Sequence, residues 1–410
     1  MLPPARYRCP QMSGRTPHLV TLTGQDGPGI AERLFATLAG QGIAVRDVEQ
    51  IRVHGRLLLC IEIEIDPGTT DDLTLALGAE LTAGLIEVAI APLVEDETVM
   101  EEDRFLVTLL APEIEAATLG GVTGRISQCG GNIERIVRLS DYPVHSYELI
   151  VAGGDLNRLR RALADEAVQR EVDIAVQVAG LHRRAKHLIV LDADSTLLQG
   201  EVIDLLAERS GCGAQVAAVT QAAMEGAIDF EEALRQRVRL LAGVGKADLD
   251  AVRGSIVLTP GARTLVRTLK RLGYELGVVS GGFTQVIAAT VADLGIDHLA
   301  ANVLSMEGGT LTGELEGPIV DRAGKAAALV RFARLAGVPL SRTIAVGDGA
   351  NDLDMLAVAG LGIAFNAKPL VRQAADTVLS VPYLDAILFL LGISRREVEL
   401  ADQMEEAGRE

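Results

Sequence analysis

Two aspartates one residue apart, Asp192 and Asp194, close the apolar run 187-HLIVLD-192 and open the stretch DADSTLLQGE. A carboxylate at the end of a buried strand loses hydration and needs a cation beside it. Two other apolar runs stop in a comparable way, 274-YELGVV-279 at Ser280-Gly281-Gly282 and 343-TIAV-346 at Gly347-Asp348-Gly349-Ala350-Asn351-Asp352. Between them Lys325 lies in 321-DRAGKAAAL-329, where a helix opens. Each stretch alone has an ordinary use, since Asp-Ser-Thr caps helices, Gly-rich pairs make turns and a lone lysine is solvated. Together they suit phosphoryl transfer, which needs a carboxylate nucleophile, donors for the phosphate oxygens and a divalent cation. Hard oxygen ligands beside a phosphate favour Mg²⁺, held between Asp192 and Asp348.

Bringing these groups together is the task of the elements around them. From Lys186 onward, apolar strand-like runs at 187–192, 274–280, 343–348 and 361–365 alternate with helical stretches. That alternation predicts an α/β domain with a Rossmann-like parallel sheet, and an open parallel sheet places its active crevice at the carboxyl ends of its strands. Neither a GxxxxGK[ST] loop nor a GxGxxG after a strand occurs, which leaves nucleoside triphosphate and dinucleotide binding without support.

The front half reads differently. From His18 the periods give strand, helix, strand, strand, helix, strand, with Ile30, Leu34 and Leu38 at helical spacing, Asp26 before Gly27-Pro28 suiting the start of the first helix, and LLLCIEIEI alternating at period two. The same βαββαβ order returns after the acidic stretch 95-EDETVMEEDR-104, and setting Gly42-Ile43-Ala44-Val45 over Gly130-Gly131-Asn132-Ile133 brings Val48 over Ile136. The chain is thus expected to divide into a flexible tail 1–17, an α+β module at 18–95, a second at 103–180 and a catalytic domain at 185–400.

With 410 residues, several domains are expected, and a net charge of −18 argues against nucleic acid as a partner. No apolar run approaches the roughly 20 residues of a membrane span, and the first residues lack the apolar segment of a secretion signal. Cys9, Cys60, Cys129 and Cys212 are scattered. The expectation is a cytoplasmic protein with reduced thiols.

In order and content, D-A-D-S-T, S-G-G, the later Lys325 and G-D-G-A-N-D resemble the four motifs of the haloacid dehalogenase superfamily of phosphohydrolases. The insert from 198 to about 265 resembles that superfamily's small helical cap. D-A-D-S-T-L-L-Q-G-E, M-E-G-A-I-D-F-E-E-A-L-R-Q-R-V and V-V-S-G-G-F bring the resemblance, which covers 186–395, closest to the phosphoserine-hydrolysing branch. It implies that Asp192 attacks phosphorus to form an aspartyl-phosphate, while Asp194 donates a proton to the leaving oxygen and later takes one from water. The carboxylates of Asp192 and Asp348 and the backbone carbonyl of Asp194 then hold Mg²⁺. Ser280, the Gly281 N–H and Lys325 hold the phosphate oxygens, and Asn351 and Asp352 orient water, phosphate or Lys325. An amino-acid substrate needs one anion and one cation to answer it. Glu201 is expected to meet its ammonium and Arg237 its carboxylate, with Met224 and Phe230 excluding water as the cap closes.

The two front modules resemble ACT domains, small βαββαβ units that bind amino acids, on the loop 24-GQDGPG-29; the second copy has Ala111-Pro112-Glu113 there. The resemblance implies an amino-acid effector near Asp26 and Gly27 and a homodimer formed through edge strands. Two alternatives stay open: a relative that transfers the phosphoryl group or hydrolyses another small phosphomonoester, and a non-catalytic amino-acid sensor. Intact Asp192 and Asp194 speak against the sensor.

Overall fold

The computed structural model describes residues 15–66, 68–81, 86–93, 103–180, 183 and 186–408, with Met224 described in its backbone only. Most of the expected tail and most of the acidic stretch lie outside these residues. The chain forms two compact units, Met1–Glu101 and Glu102–Glu410.

The first unit is a four-stranded antiparallel sheet, β1 (Thr16–Gln25), β2 (Val45–Val53), β3 (Arg56–Ile65) and β4 (Ile86–Pro92), in the order β2-β3-β1-β4. Its first strand begins at Thr16, earlier than the expected boundary at His18. Leu57, Leu59, Ile61, Ile63 and Ile65 alternate inward and bury against Ile30, Leu34 and Leu38 of one helix and Leu73, Leu77 and Leu81 of the other. The period-two and period-3.6 patterns thus meet in one small core. The first helix starts at Ile30 behind Gly29, whose φ of 84° needs glycine, and not at Asp26. Asp26 instead pairs with Arg52 of β2, 2.8 Å away.

The second unit opens with the same module: β5 (Arg104–Ala111), β6 (Asn132–Ser140), β7 (His145–Ala152) and β8 (Asp173–Val178), in the order β6-β7-β5-β8. One face of this sheet packs on its two helices. The opposite face contributes Leu110, Leu139 and Ala175, and the β6–β7 loop Val144, to the core of the following domain.

That domain is built on β9 (Leu188–Asp192), β10 (Glu275–Phe283), β11 (His298–Glu307), β12 (Thr310–Glu316), β13 (Thr343–Gly347), β14 (Gly362–Phe365) and β15 (Thr377–Leu379), ordered β12-β11-β10-β9-β13-β14-β15. The sheet is parallel except at β12, which runs antiparallel to β11. This hairpin departs from the expected parallel sheet. Its turn rests on Gly308 and Gly309, both at positive φ, the geometry that tight hairpins require. Leu188 to Leu191 in β9 are fully inaccessible, as expected of a central strand covered on both faces, and each such side chain is worth about 1.5–3 kcal/mol of burial.

Between β9 and β10 lies the helical cap, with helices Val202–Arg209, Gly213–Met224, Phe230–Leu240 and Lys246–Ser255. It joins the sheet through two short segments that pair antiparallel at Leu198 and Leu258. The last helix, Arg395–Ala407, runs past the expected end at 400. Among the described residues no helix is long and apolar enough to cross a membrane.

Candidate active site

β9, β10 and β13 are adjacent and parallel, so their carboxyl ends open on one crevice. Past the end of β9 the chain is extended at Asp194 and turns sharply at Ser195, whose φ is 58°. Asp192 is almost fully buried, and its Oδ1 accepts hydrogen bonds from the Ala193 N–H (2.8 Å) and the Lys325 ammonium (2.7 Å). Lys325, 1% exposed, also donates to Asp352 Oδ1 at 2.7 Å. Burial disfavours its charge, but Asp192 and Asp352 outweigh that cost and raise its pKa. The cation demanded by the buried Asp192 is, within the protein, this lysine. Even so, desolvation leaves the Asp192 pKa well above the usual carboxylate range.

Asp352 serves the loop after β13. Its Oδ2 accepts the N–H groups of Asp348 (3.1 Å) and Gly349 (2.9 Å) while Oδ1 holds Lys325. Both oxygens are engaged in positioning. Asp348 accepts Thr196 Oγ1 on Oδ1 at 3.2 Å, and burial, then Asp352, pushes its pKa up to about 6. A carboxylate oxygen each from Asp192, Asp348 and Asp352 lies within 4.8 Å of the others. Among the described residues the hydrogen bonds to Asp192 and Asp348 fall on Oδ1, which leaves Oδ2 of each to a further cation. An all-oxygen donor set fits a hard divalent ion.

The Asp194 carboxylate points elsewhere. It accepts the first cap-helix N–H, from Val202, at 2.9 Å and the Ser280 hydroxyl at 3.1 Å. Only its backbone carbonyl remains available to a metal. Burial raises its pKa, which suits the proton carrier that the resemblance implies. Ser280, wholly buried, also accepts the Gly282 N–H at 2.7 Å, and a side chain at Gly282 would crowd both Ser280 and Asp194. Gly281 keeps its carbonyl on Asn302 Nδ2 (2.8 Å), and Phe230 reaches over it from the cap.

The cap also carries the two expected substrate residues. Arg235 pairs with Glu231 and Arg239 with Glu232 on the same helix. Arg237 is half-buried and, among the described residues, has no ion-pair partner; its Nε reaches only the carbonyl of Ala233 at 3.4 Å. Burial lowers its pKa against the pull of Glu201, Asp204 and Asp194. Glu201 stands at the N-cap position of the first cap helix without capping it through its side chain, and is exposed. The cleft atoms around it, then Asp194, Asp204 and Asp348, nevertheless push its pKa up to about 7, with Arg237 opposing. The Met224 side chain lies outside the described residues.

Residues 189–357 match the haloacid dehalogenase-like hydrolase family, and residues 16–84 and 104–177 each match the ACT domain. The chain is 52% identical over 387 residues to the phosphoserine phosphatase of Streptomyces coelicolor, covering 94% of each. Against the phosphoserine phosphatase of Mycobacterium tuberculosis it is 45% identical over 395 residues, 95% of this chain and 97% of that one. The chain belongs to the phosphoserine phosphatase family. Among solved structures, a probable phosphoserine phosphatase from Vibrio cholerae superposes with a TM-score of 0.56 at 30% identity, covering 73% of this chain and 88% of that one. A haloacid dehalogenase family hydrolase from Salmonella enterica gives 0.63 at 27% identity, covering 70% and 98%.

Two residues outside the expected set hold this family's site together here. Thr196 pins Asp348, and it stands in the D-A-D-S-T motif without an assigned role. Asn302, 2% exposed, ties the Gly281 carbonyl to the Val320 N–H (2.8 Å) just ahead of the Lys325 helix. A polar side chain in the run 299-LAANVL-304 was the only signal for it.

Proposed function

We propose that the chain hydrolyses O-phospho-L-serine to L-serine and phosphate, in serine biosynthesis, with Mg²⁺ as cofactor. Asp192 and Asp348 would hold the ion with the Asp194 carbonyl, and the bound ion supplies charge neutralisation that lets an anionic phosphate approach an anionic nucleophile. The Asp192 carboxylate forms the bond to phosphorus as the bond from phosphorus to the serine oxygen breaks, and Asp194, its proton held by burial, protonates that oxygen. Water then attacks the aspartyl-phosphate, giving its proton to Asp194 and releasing phosphate as the phosphorus–Asp192 bond breaks. Lys325, Ser280 and the Gly281 N–H hold the phosphate oxygens, and Asn351 orients the water.

The observation that carries the choice of substrate is the unpaired Arg237 facing Glu201, one cation and one anion left for the two charges of an amino acid. Phosphate release from L-phosphoserine, measured with Mg²⁺ and with excess chelator, tests the reading. Rapid Mg²⁺-dependent release is expected; none with phosphoserine, alongside release from an aryl phosphate, overturns the substrate.

For the front modules, the same resemblance supports an amino-acid effector, most simply serine, near Asp26 and Gly27, where a side chain built on Gly27 meets nothing within 4 Å. Val45, Val48, Ile51 and Val53 are exposed along β2, an unpaired sheet edge suited to a homodimer. Calorimetric titration with serine and light scattering test these two points.

A further inference from the structure

The two segments that join cap to sheet are held as a small ladder. Gln199 N–H donates to the Val257 carbonyl (2.8 Å) and Thr259 N–H to the Leu197 carbonyl (2.9 Å), while Thr259 Oγ1 donates to the Thr196 carbonyl at 2.7 Å. Thr196 in turn holds Asp348. The ladder is therefore continuous with the carboxylate cluster.

Immediately beyond it the chain turns at Pro260-Gly261 into the helix Ala262–Arg271. Gly261 has a φ of 80°, and a side chain there would overlap the Asp385 carboxylate. The Pro260 carbonyl accepts the Leu384 N–H at 2.8 Å. The turn is thus moulded around Leu384-Asp385. Asp385 is 4% exposed, and its ion-pair partner among the described residues is Arg395, with Nη1 at 3.2 Å from Oδ2. The other side of that guanidinium donates from Nε to the carbonyl of Tyr142, 3.1 Å away, in the β6–β7 loop of the second ACT module. Arg183, just ahead of β9, clasps the same segment through the carbonyls of Leu390 (2.9 Å) and Phe389 (3.1 Å) while pairing with Glu148 of β7.

We propose that Asp385 and Arg395 are positioning residues for the reaction, through which the second ACT module sets the cap hinge and, by Thr259 and Thr196, the loop that carries Asp192 and Asp348. The physical reason is the cost of leaving a buried carboxylate without its cation. Without Arg395, Asp385 cannot stay seated against Gly261, and the hinge ladder loses its support on one side. A guanidinium is needed because one planar fork must serve a carboxylate and a carbonyl at once. The kinetic part of this inference rests on the proposed phosphoserine reaction; the structural part does not.

The test uses the full-length protein and the variants Arg395→Ala, Arg395→Lys, Asp385→Asn and the double variant Arg395→Ala/Asp385→Asn. Hydrogen exchange at the Gln199 and Thr259 amides should quicken about tenfold in Arg395→Ala, with β13 amides unchanged, as local opening of one ladder requires. For phosphoserine, kcat/KM should fall roughly threefold to thirtyfold, the range expected of residues that couple sites without touching ligand. An aryl phosphate, which needs Asp192 and Asp348 but not Arg237, should lose rate as well, by a smaller factor. Arg395→Lys should recover part of both effects, and the double variant should be no worse than the worse single. Hinge exchange at the wild-type rate in folded Arg395→Ala overturns the proposal, as does equal quickening throughout the sheet, or additivity in the double variant. Should Arg395→Ala not fold, Arg395→Lys and Asp385→Asn give the same readings. Absence of phosphoserine turnover in the wild type would count against the proposed function alone, since exchange needs no substrate.

Discussion

At the proposed phosphate end of the cleft, Asp192, Lys325, Ser280 and Asp352 are almost wholly buried and bound to one another or to backbone N–H groups. At the proposed amino-acid end, Glu201 is exposed and Arg237 half-buried, and among the described residues the two face each other without an ion pair. The first set sits on strand ends of a rigid sheet; the second rides on cap helices. Groups that must stabilise a developing charge gain from being fixed beforehand, since no reorganisation is then needed during the reaction. Groups that must select a substrate gain from being left incomplete, so that the correct ligand supplies the missing partners and the wrong one leaves them unpaired. An arginine without a partner, flanked on its own helix by two that have one, is what that second requirement looks like.

Four measurements can break or sharpen this contrast. Asp192→Asn should cost the most, lowering phosphate release at least about 10⁴-fold on any substrate, because an amide is a poor nucleophile. A thermal melt near that of the wild type would show that the loss is chemical. Asp194→Asn should lower kcat by about 10²–10⁴, the usual worth of general acid–base help. Trapping after acid quench should show which of its two proton transfers becomes limiting.

Arg237→Ala belongs to the other end and should behave otherwise. Loss of a charge-assisted hydrogen bond, about 1.5–3 kcal/mol, should raise KM for phosphoserine roughly tenfold to a hundredfold. Hydrolysis of an aryl phosphate should barely change, and an equal loss on both substrates would place Arg237 at the phosphate end. The smallest effect concerns pH. With its pKa raised to about 7, Glu201 is neutral below that pH and an anion above it. As partner of an ammonium it should make kcat/KM for phosphoserine rise several-fold between about pH 6 and 8. In Glu201→Gln the part of the rise centred near pH 7 should be lost, and only what the substrate's own phosphate contributes should remain.

The linking segments extend the contrast to the front of the chain. Both ACT modules share a topology, but they are used differently. β2 of the first is exposed over its whole length, while the second lends Leu110, Leu139, Val144 and Ala175 to the catalytic domain's core. The Asp173 carboxylate makes the same attachment polar, accepting the Ser380 N–H at 2.5 Å at the edge beside β15. Nothing in the repeat pattern distinguished the two copies in this respect, because apolar residues on the outer face of a half-buried sheet read alike whether water or another domain covers them.

Much of the rest was legible. Period and punctuation located both modules and the alternating catalytic domain, since amphipathic spacing reports which face an element must bury. Asp192, Asp194 and Asp348 stood out by type and position at the ends of the apolar runs and Lys325 where a helix opens, while Glu201 and Arg237 came with the resemblance. The antiparallel β12 was missed although Gly308-Gly309 marks its turn, because a glycine pair between short runs fits a loop as well as a hairpin. Asp26 was read as a helix start when its carboxylate pairs across the sheet with Arg52, a contact between residues far apart in the chain.

The sequence by itself determined the elements, their order and the residue types able to do phosphoryl chemistry, for these follow from local periodicity and from groups that only a few reactions need. Tertiary structure alone decided which oxygen of each carboxylate is already occupied, that Arg237 rather than Arg235 or Arg239 is the arginine left unpaired, and that Asn302, Thr196 and Arg395 hold the site in place. Those outcomes depend on distances between residues tens to hundreds of positions apart, and hydrogen bonding and desolvation act over a few ångströms of space, with no regard for separation along the chain.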